Sequence, residues 1–166
     1  MALRKILIKG DSTLNKISRP VSKFNERLHM LLDDMRETLI QAEGLGLAAP
    51  QVGILRRVVL VINKEEQPIE LVNPVIVAQE GEQDGFEGCL SVPGYYGRVL
   101  RPRKVRIRAQ DRYGKEFEVE DDAITARCFC HELEHLDGHL FTEYTDQLYT
   151  IEELERLHAQ EGEEEL

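Results

Sequence analysis

The stretch "CHELEHLDGH", residues 130–139, decides how this chain is read. It carries His131, Glu132 and His135 in HExxH order, with His139 just beyond. Ala123 to about Asp137 reads as one helix, stopped at Gly138. Residues four apart on a helix differ by about 40° in azimuth and about 6 Å in rise, so His131 and His135 share a face. Two imidazoles so placed can chelate one tetrahedral ion. Glu132, turned by about 100°, reaches a metal-bound water rather than the metal, which suits a general base. HExxH specifies only three positions and also occurs by chance in unrelated helices, so alone it does not settle a metal site. Leu133 and Leu136 are expected to face the core either way.

Two histidines leave a third ligand to be found. His139 lies eight residues from His131, about 12 Å along a continuous helix and too far to share an ion. The longer HExxHxxGxxH pattern wants a histidine at 141, where this chain has Phe141. His139 therefore reads as an exposed residue past the helix end. Glu152, Glu153 and Glu155, from a following helix, are a second offer, in an acidic and exposed-looking segment. Cys128 and Cys130 read as small core residues. Cys89 stands in "GFEGCLSVPG" (85–94), where glycines let the backbone approach another group closely. It would complete a Cys-His-His set with the fourth position open to water, as in catalytic sites. On spacing alone Cys89 leads only modestly.

Outward from this helix, Phe24 to about Glu43 carries Leu28, Leu31, Leu32, Met35, Leu39 and Ile40 at helical spacing, with Ser22 near its N-cap. "GLGLAAPQVG" (44–53) reads as a loop. "RVVLVIN" (57–63) and "IELVNPVIVAQ" (69–79) read as strands, the second broken at Asn73-Pro74. Residues 104–121 read as a hairpin turning at Tyr113-Gly114. A last helix is expected from about Ile151 to Ala159, with Leu154 and Leu157 on one side. The expected fold is α+β, with antiparallel or mixed sheets around a central metal-binding helix. One domain, 1–166, is expected, with a C-terminal helix and acidic tail from about 150.

The 166 residues are 42% hydrophobic and 31% charged, the balance of a soluble globular chain. No run approaches the ~18 apolar residues of a membrane helix. The N-terminus lacks the apolar core and cleavage site of a signal peptide. Three cysteines without framework spacing point to a reducing compartment, so a cytoplasmic location is expected. The net charge of −10 argues against DNA binding. Residues 98–112 nevertheless hold seven bases against Asp111. They read chiefly as the wet face of a strand, with Lys104, Arg106 and Arg108 outward and Val105 and Ile107 inward. The other reading is a patch for an anionic partner such as ribosomal RNA.

Three segments then align with one family. "GLGLAAPQ" (44–51), "EGCLS" (87–91) and "HELEH" (131–135), in this order, resemble the signature motifs of peptide deformylase. A dinucleotide-loop reading of "GLGLAA" fails, because it follows a helix and lacks the third glycine. The resemblance implies a peptide deformylase-like fold and hydrolysis of the formyl group of N-formylmethionyl peptides, releasing formate. It implies metal ligation by Cys89, His131 and His135, and acid/base work by Glu132. It further implies that the Gln51 side chain and the Leu90 backbone N–H hold the developing oxyanion. The backbone of Leu45 and Gly46 would pair with the peptide as an added strand, and Gly46 is also expected among the catalytic residues. Leu133, with Arg127 at the rim, is the expected methionine pocket. The family typically uses Fe²⁺ and accepts Zn²⁺, Ni²⁺ or Co²⁺. If the enzyme meets nascent chains at the ribosome, residues 98–112 are the better contact than the acidic tail. Two letters depart from the family pattern, Cys130 for Gln and Glu134 for Asp, and bear on the pocket wall and on the orientation of the histidines. Competing readings are a zincin-type peptidase using a tail glutamate, and a metal-binding or ribosome-associated protein that has lost catalysis.

Overall fold

A continuous apolar run is the mark of a strand covered on both faces, and "VVLVI" is such a run. In the computed structural model, which describes residues 2–164, it forms β2 (Val58–Ile62). Val59 and Val61 enter one buried cluster and Val58 and Leu60 another. The first cluster lies against α2 (Ala123–Leu136), the second against α1 (Glu26–Ala42). β2 belongs to a five-stranded sheet with β1 (Gly46–Ala48), β3 (Pro68–Glu80), β6 (Lys104–Gln110) and β7 (Glu116–Asp122), in the order β1-β2-β3-β6-β7. A second sheet, of order β4-β5-β8, comprises β4 (Gln83–Cys89), β5 (Val92–Arg101) and β8 (Leu148–Tyr149). Every pairing in both sheets is antiparallel. α2 touches strands of both sheets, and α3 (Ile151–Glu164) closes the described chain against β5 and β8. This is the α+β arrangement around a central helix that the sequence led us to expect.

Several boundaries differ from that expectation. α1 is capped by Asn25, whose side chain accepts from Leu28 N at 3.2 Å, and not by Ser22. The segment 44–53 is more ordered than a loop, because Gly46–Ala48 pairs with β2 and Ala49–Val52 forms a 3-10 turn. Asn73-Pro74 does not break the third strand. Asn73 takes a left-handed φ of 51°, which asparagine tolerates, and the register to β6 slips between Val72 and Val75. The Asn73 side chain bonds Val21 N, Val21 O and Gln110 Oε1, so the bulge is tied down on two sides. The β4–β5 hairpin, which holds Cys89, went unread, since "QDGFEGC" has no apolar alternation. α3 runs five residues beyond the expected Ala159, with Leu154 buried and Leu157 half-buried. The end of the acidic tail, Glu165 and Leu166, lies outside the described residues.

Candidate metal centre and active-site cleft

α2 separates two hollows. Ile124, Arg127, Cys128, His131 and Glu132 line a cleft of about 400 Å³. Cys130, Leu133, Glu134 and Asp137 line a larger cavity of about 1030 Å³ on the opposite side. Facing α2 across the cleft is the tip of the β4–β5 hairpin, where Cys89 ends β4 and Leu90-Ser91 form the turn.

The hairpin brings Cys89 to the two histidines. One donor atom from each of Cys89, His131 and His135 lies within 4.8 Å of the others. Cys89 Sγ is 3.4 Å from His135 Nε2. His131 Nδ1 is 2.9 Å from Glu87 Oε1, which leaves Nε2 for the shared position. Phe141, where the longer zinc pattern would have a third histidine, stacks on the His131 ring at 5.9 Å. Glu132 Oε1 is buried, has no partner, and sits 3.9 Å from His135 Nε2.

Electrostatics follow from this burial. Burial pushes the Glu132 carboxyl up to about 7, with His131 opposing. Burial alone would lower His131, but Glu132, the Cys89 sulfur and Glu87 outweigh it and hold it well above its ordinary value. Burial, reinforced by His131, drives His135 well below. Burial would raise Glu87 too, yet hydrogen bonds from Arg101 and His131 overcome it and hold the carboxyl at about 2. The Cys128 thiol, pushed by burial and then Glu132 to about 12, stays protonated.

These residues fit a divalent cation. A thiol and two imidazoles converge on one point, as in catalytic sites with an open fourth position. The unpartnered Glu132 Oε1 awaits a donor beside that point.

The remaining wall is fixed by backbone. Gln51 is buried, and its Oε1 accepts from Ala48 N at 2.9 Å. Its amide nitrogen then points into the site, donating to Ser91 Oγ at 3.0 Å and lying 3.6 Å from Cys89 Sγ. The N-terminal segment clamps both neighbours, with Leu7 N on Gln51 O and Lys9 N on Ser91 O. β1 is an edge strand, and Leu45, Gly46 and Leu90 all line the cleft. A Cβ added to Gly46 would overlap the Glu132 carboxylate and lie 2.8 Å from Glu132 Cγ, so only glycine lets β1 pass this close.

Other expected residues fall elsewhere. Leu133 packs in the main core and lines the opposite cavity, so it is no part of the cleft. The apolar cleft wall comes instead from Phe86, Leu90, Tyr96 and Ile124. Arg127 does line the cleft, but not as an exposed rim. It is buried, bonding Glu87 Oε2 at 2.7 Å and Val99 O at 2.9 Å. Cys130 lies on the far side of α2, away from the cleft wall. His139 is exposed and meets Glu143 at 3.3 Å, and neither it nor the tail glutamates join the donor cluster. Along 98–112, Lys104, Arg106 and Arg108 point outward as expected, with Val105 and Ile107 buried. Their charge is not free, because Lys104 and Arg106 pair with Glu120, and Arg108 with Glu118. Arg112 pairs with Glu70 and Asp33, and Arg101 with Glu87 and Glu134. Glu87, Ser91 and Arg101 were not singled out, although Glu87 and Ser91 flank Cys89 in "EGCLS". A carboxylate two residues from a candidate ligand was the available signal.

Among the described residues, no helix is long and apolar enough to cross a membrane. Residues 3–150 match the family described as polypeptide deformylase. The chain is 52% identical over 156 residues to the peptide deformylase of Caldicellulosiruptor bescii, covering 94% of this chain and 93% of that one. It is 52% identical over 143 residues to that of Agathobacter rectalis, covering 86% and 90%. Among solved structures, it resembles the peptide deformylase of Legionella pneumophila with a TM-score of 0.83 at 41% identity, covering 96% and 92%. The likeness to the Ehrlichia chaffeensis peptide deformylase in complex with actinonin has a TM-score of 0.85 at 34% identity, covering 89% and 91%.

Proposed function

The chain belongs to the polypeptide deformylase family, and from that premise we propose that it removes the formyl group from N-formylmethionyl nascent peptides in a metal-dependent reaction. The observation that carries the reading is the convergence of Cys89, His131 and His135 beside the unpartnered Glu132 Oε1. Cys89 as thiolate, with His131 and His135 through Nε2, would hold the ion, and we propose Fe²⁺, with Zn²⁺, Ni²⁺ or Co²⁺ as substitutes. When bound, the ion supplies Lewis-acid activation of water near neutral pH.

The chain's own residues do the rest. The peptide backbone adds to the free edge of β1 at Leu45 and Gly46, with its first side chain against the apolar wall of the cleft. Glu132 Oε1 accepts a proton from the attacking water as its oxygen bonds to the formyl carbon. The Gln51 amide and the Leu90 N–H donate to the oxygen on which charge develops. Glu132 returns the proton to the leaving amine, the C–N bond breaks, and formate departs. Desolvation raises the proton affinity of Glu132, and this suits both halves of its task. We propose that residues 1–166 act as one catalytic domain in the cytoplasm. A ribosome contact through 98–112 draws little support from a strand face whose bases carry acid partners.

The test is formate release from formyl-Met-Ala-Ser by protein loaded with Fe²⁺ or Ni²⁺ under anaerobic conditions. Release well above a Glu132→Ala control is expected. Equal release from both would overturn the reading.

A further inference from the structure

Glu87 accepts from Arg101 Nε at 2.7 Å, Arg101 Nη2 at 2.8 Å and Arg127 Nη1 at 2.7 Å, and meets His131 Nδ1 at 2.9 Å. Its side chain is 3% exposed, so this carboxylate stands or falls with its partners. Arg101 spends two nitrogens on Glu87, and its third, Nη1, donates to Glu134. The Tyr144 ring covers the Arg101 guanidinium at 5.7 Å. Two carboxylates and two guanidiniums, Glu87, Glu134, Arg101 and Arg127, thus form a chain of balanced charge behind the His131 ring. Without Glu134 that chain carries one net positive charge close to a site that must accept a cation.

We infer that Arg101 and Glu134 are positioning residues: together they hold Glu87 against His131 Nδ1 with its charge compensated, and so set how tightly His131 engages a metal ion. The inference rests on the reading of Cys89, His131 and His135 as the metal-holding set. Glu134 is the position whose neighbours on α2 line the far cavity, so its influence on the cleft runs through the guanidinium rather than through contact. Glu134→Gln keeps an acceptor for Arg101 Nη1 and removes only the charge. Glu134→Asp keeps the charge and shortens the reach. Arg101→Lys keeps the charge and removes the two-pronged hold on Glu87.

The experiment is Co²⁺ affinity by chelator competition, read from the Co²⁺–thiolate absorption, with thermal unfolding alongside. Glu134→Gln and Arg101→Lys are each expected to weaken Co²⁺ binding by about tenfold. Glu134→Asp is expected to stay within about threefold of the parent, and Cys130→Ala, one turn away on the same cavity wall, to match it. If Glu134→Gln does not fold, Arg101→Lys carries the test. Parent-like Co²⁺ affinity with lowered thermal stability would show a merely structural pair and overturn the inference. So would a Glu134→Asp protein as weak as Glu134→Gln, since reach and not charge would then govern. A parent that binds no Co²⁺ would overturn the metal reading itself, and this inference with it.

Discussion

Glu132 and Gly46 are the pair on which the proposed chemistry turns at the scale of single residues. Glu132 is buried with one oxygen unpartnered, and its other oxygen faces a strand that passes close only because residue 46 has no side chain. Glu132→Ala is expected to retain metal and to lose about 10²- to 10⁴-fold in turnover, the usual worth of a general base. Gly46→Ala is expected to retain metal as well, because the atoms nearest an added Cβ all belong to Glu132, yet to displace the carboxylate and lose turnover by more than about tenfold. Turnover near the parent level in either variant, measured on metal-matched protein, would remove the carboxylate from that role. The placement of the HExxH side chains was legible because helical spacing alone puts two imidazoles on one face and turns the carboxylate aside. The same geometry shows why Leu133 was misplaced. It stands two residues from His131, about 200° around the helix, and so faces the opposite cavity.

Among elements, α2 and the β4–β5 hairpin fix how Cys89, His131 and His135 meet. Gly138 has a φ of 83°, and a Cβ there would lie 2.6 Å from Asn15 O. Gly138→Ala should therefore cost more than about 2 kcal/mol, from a left-handed backbone and a clash with main chain that cannot swing away. A urea midpoint unchanged by this substitution would show that the turn relaxes freely. The stop at Gly138 was readable because glycine past a helix end is a local signal. The hairpin was not, because "QDGFEGC" is polar and glycine-rich and becomes a strand through pairing with β5. Cys89 consequently gained only a modest lead from spacing and a firm one from the family motif. Glu87 and Arg101 were harder still, because their partnership spans 14 residues along the chain and His131 lies 44 residues from Glu87.

For the whole molecule, the buried carboxylate at the centre ties stability to pH. Glu87 titrates at about 2 in the folded chain against an ordinary 4.5. A lowered carboxyl contributes stability that is fully present above pH 4.5 and is lost as pH falls toward 2. The gap corresponds to about 3 kcal/mol. The metal-free protein should therefore lose stability steeply over that interval, and Glu87→Gln, less stable throughout, should show a flatter acid limb. Urea midpoints measured from pH 5 to pH 2 check this, and parallel acid limbs would contradict it. The fold class was legible from element order, since helices flank a central run of strands. The overall charge of −10 and the base-rich stretch were legible too, but not the acid partners that the stretch would meet. The base-rich stretch 98–112 becomes a face of alternating sign only when β7 lays Glu118 and Glu120 beside it. What organises the molecule is the meeting of one helix and one hairpin at Cys89, His131 and His135. Metal content of purified protein, by atomic emission, tests that meeting most directly. The parent, His139→Ala and Glu155→Ala are expected to carry about one ion per chain and Cys89→Ala almost none, whereas equal metal in all four would contradict it.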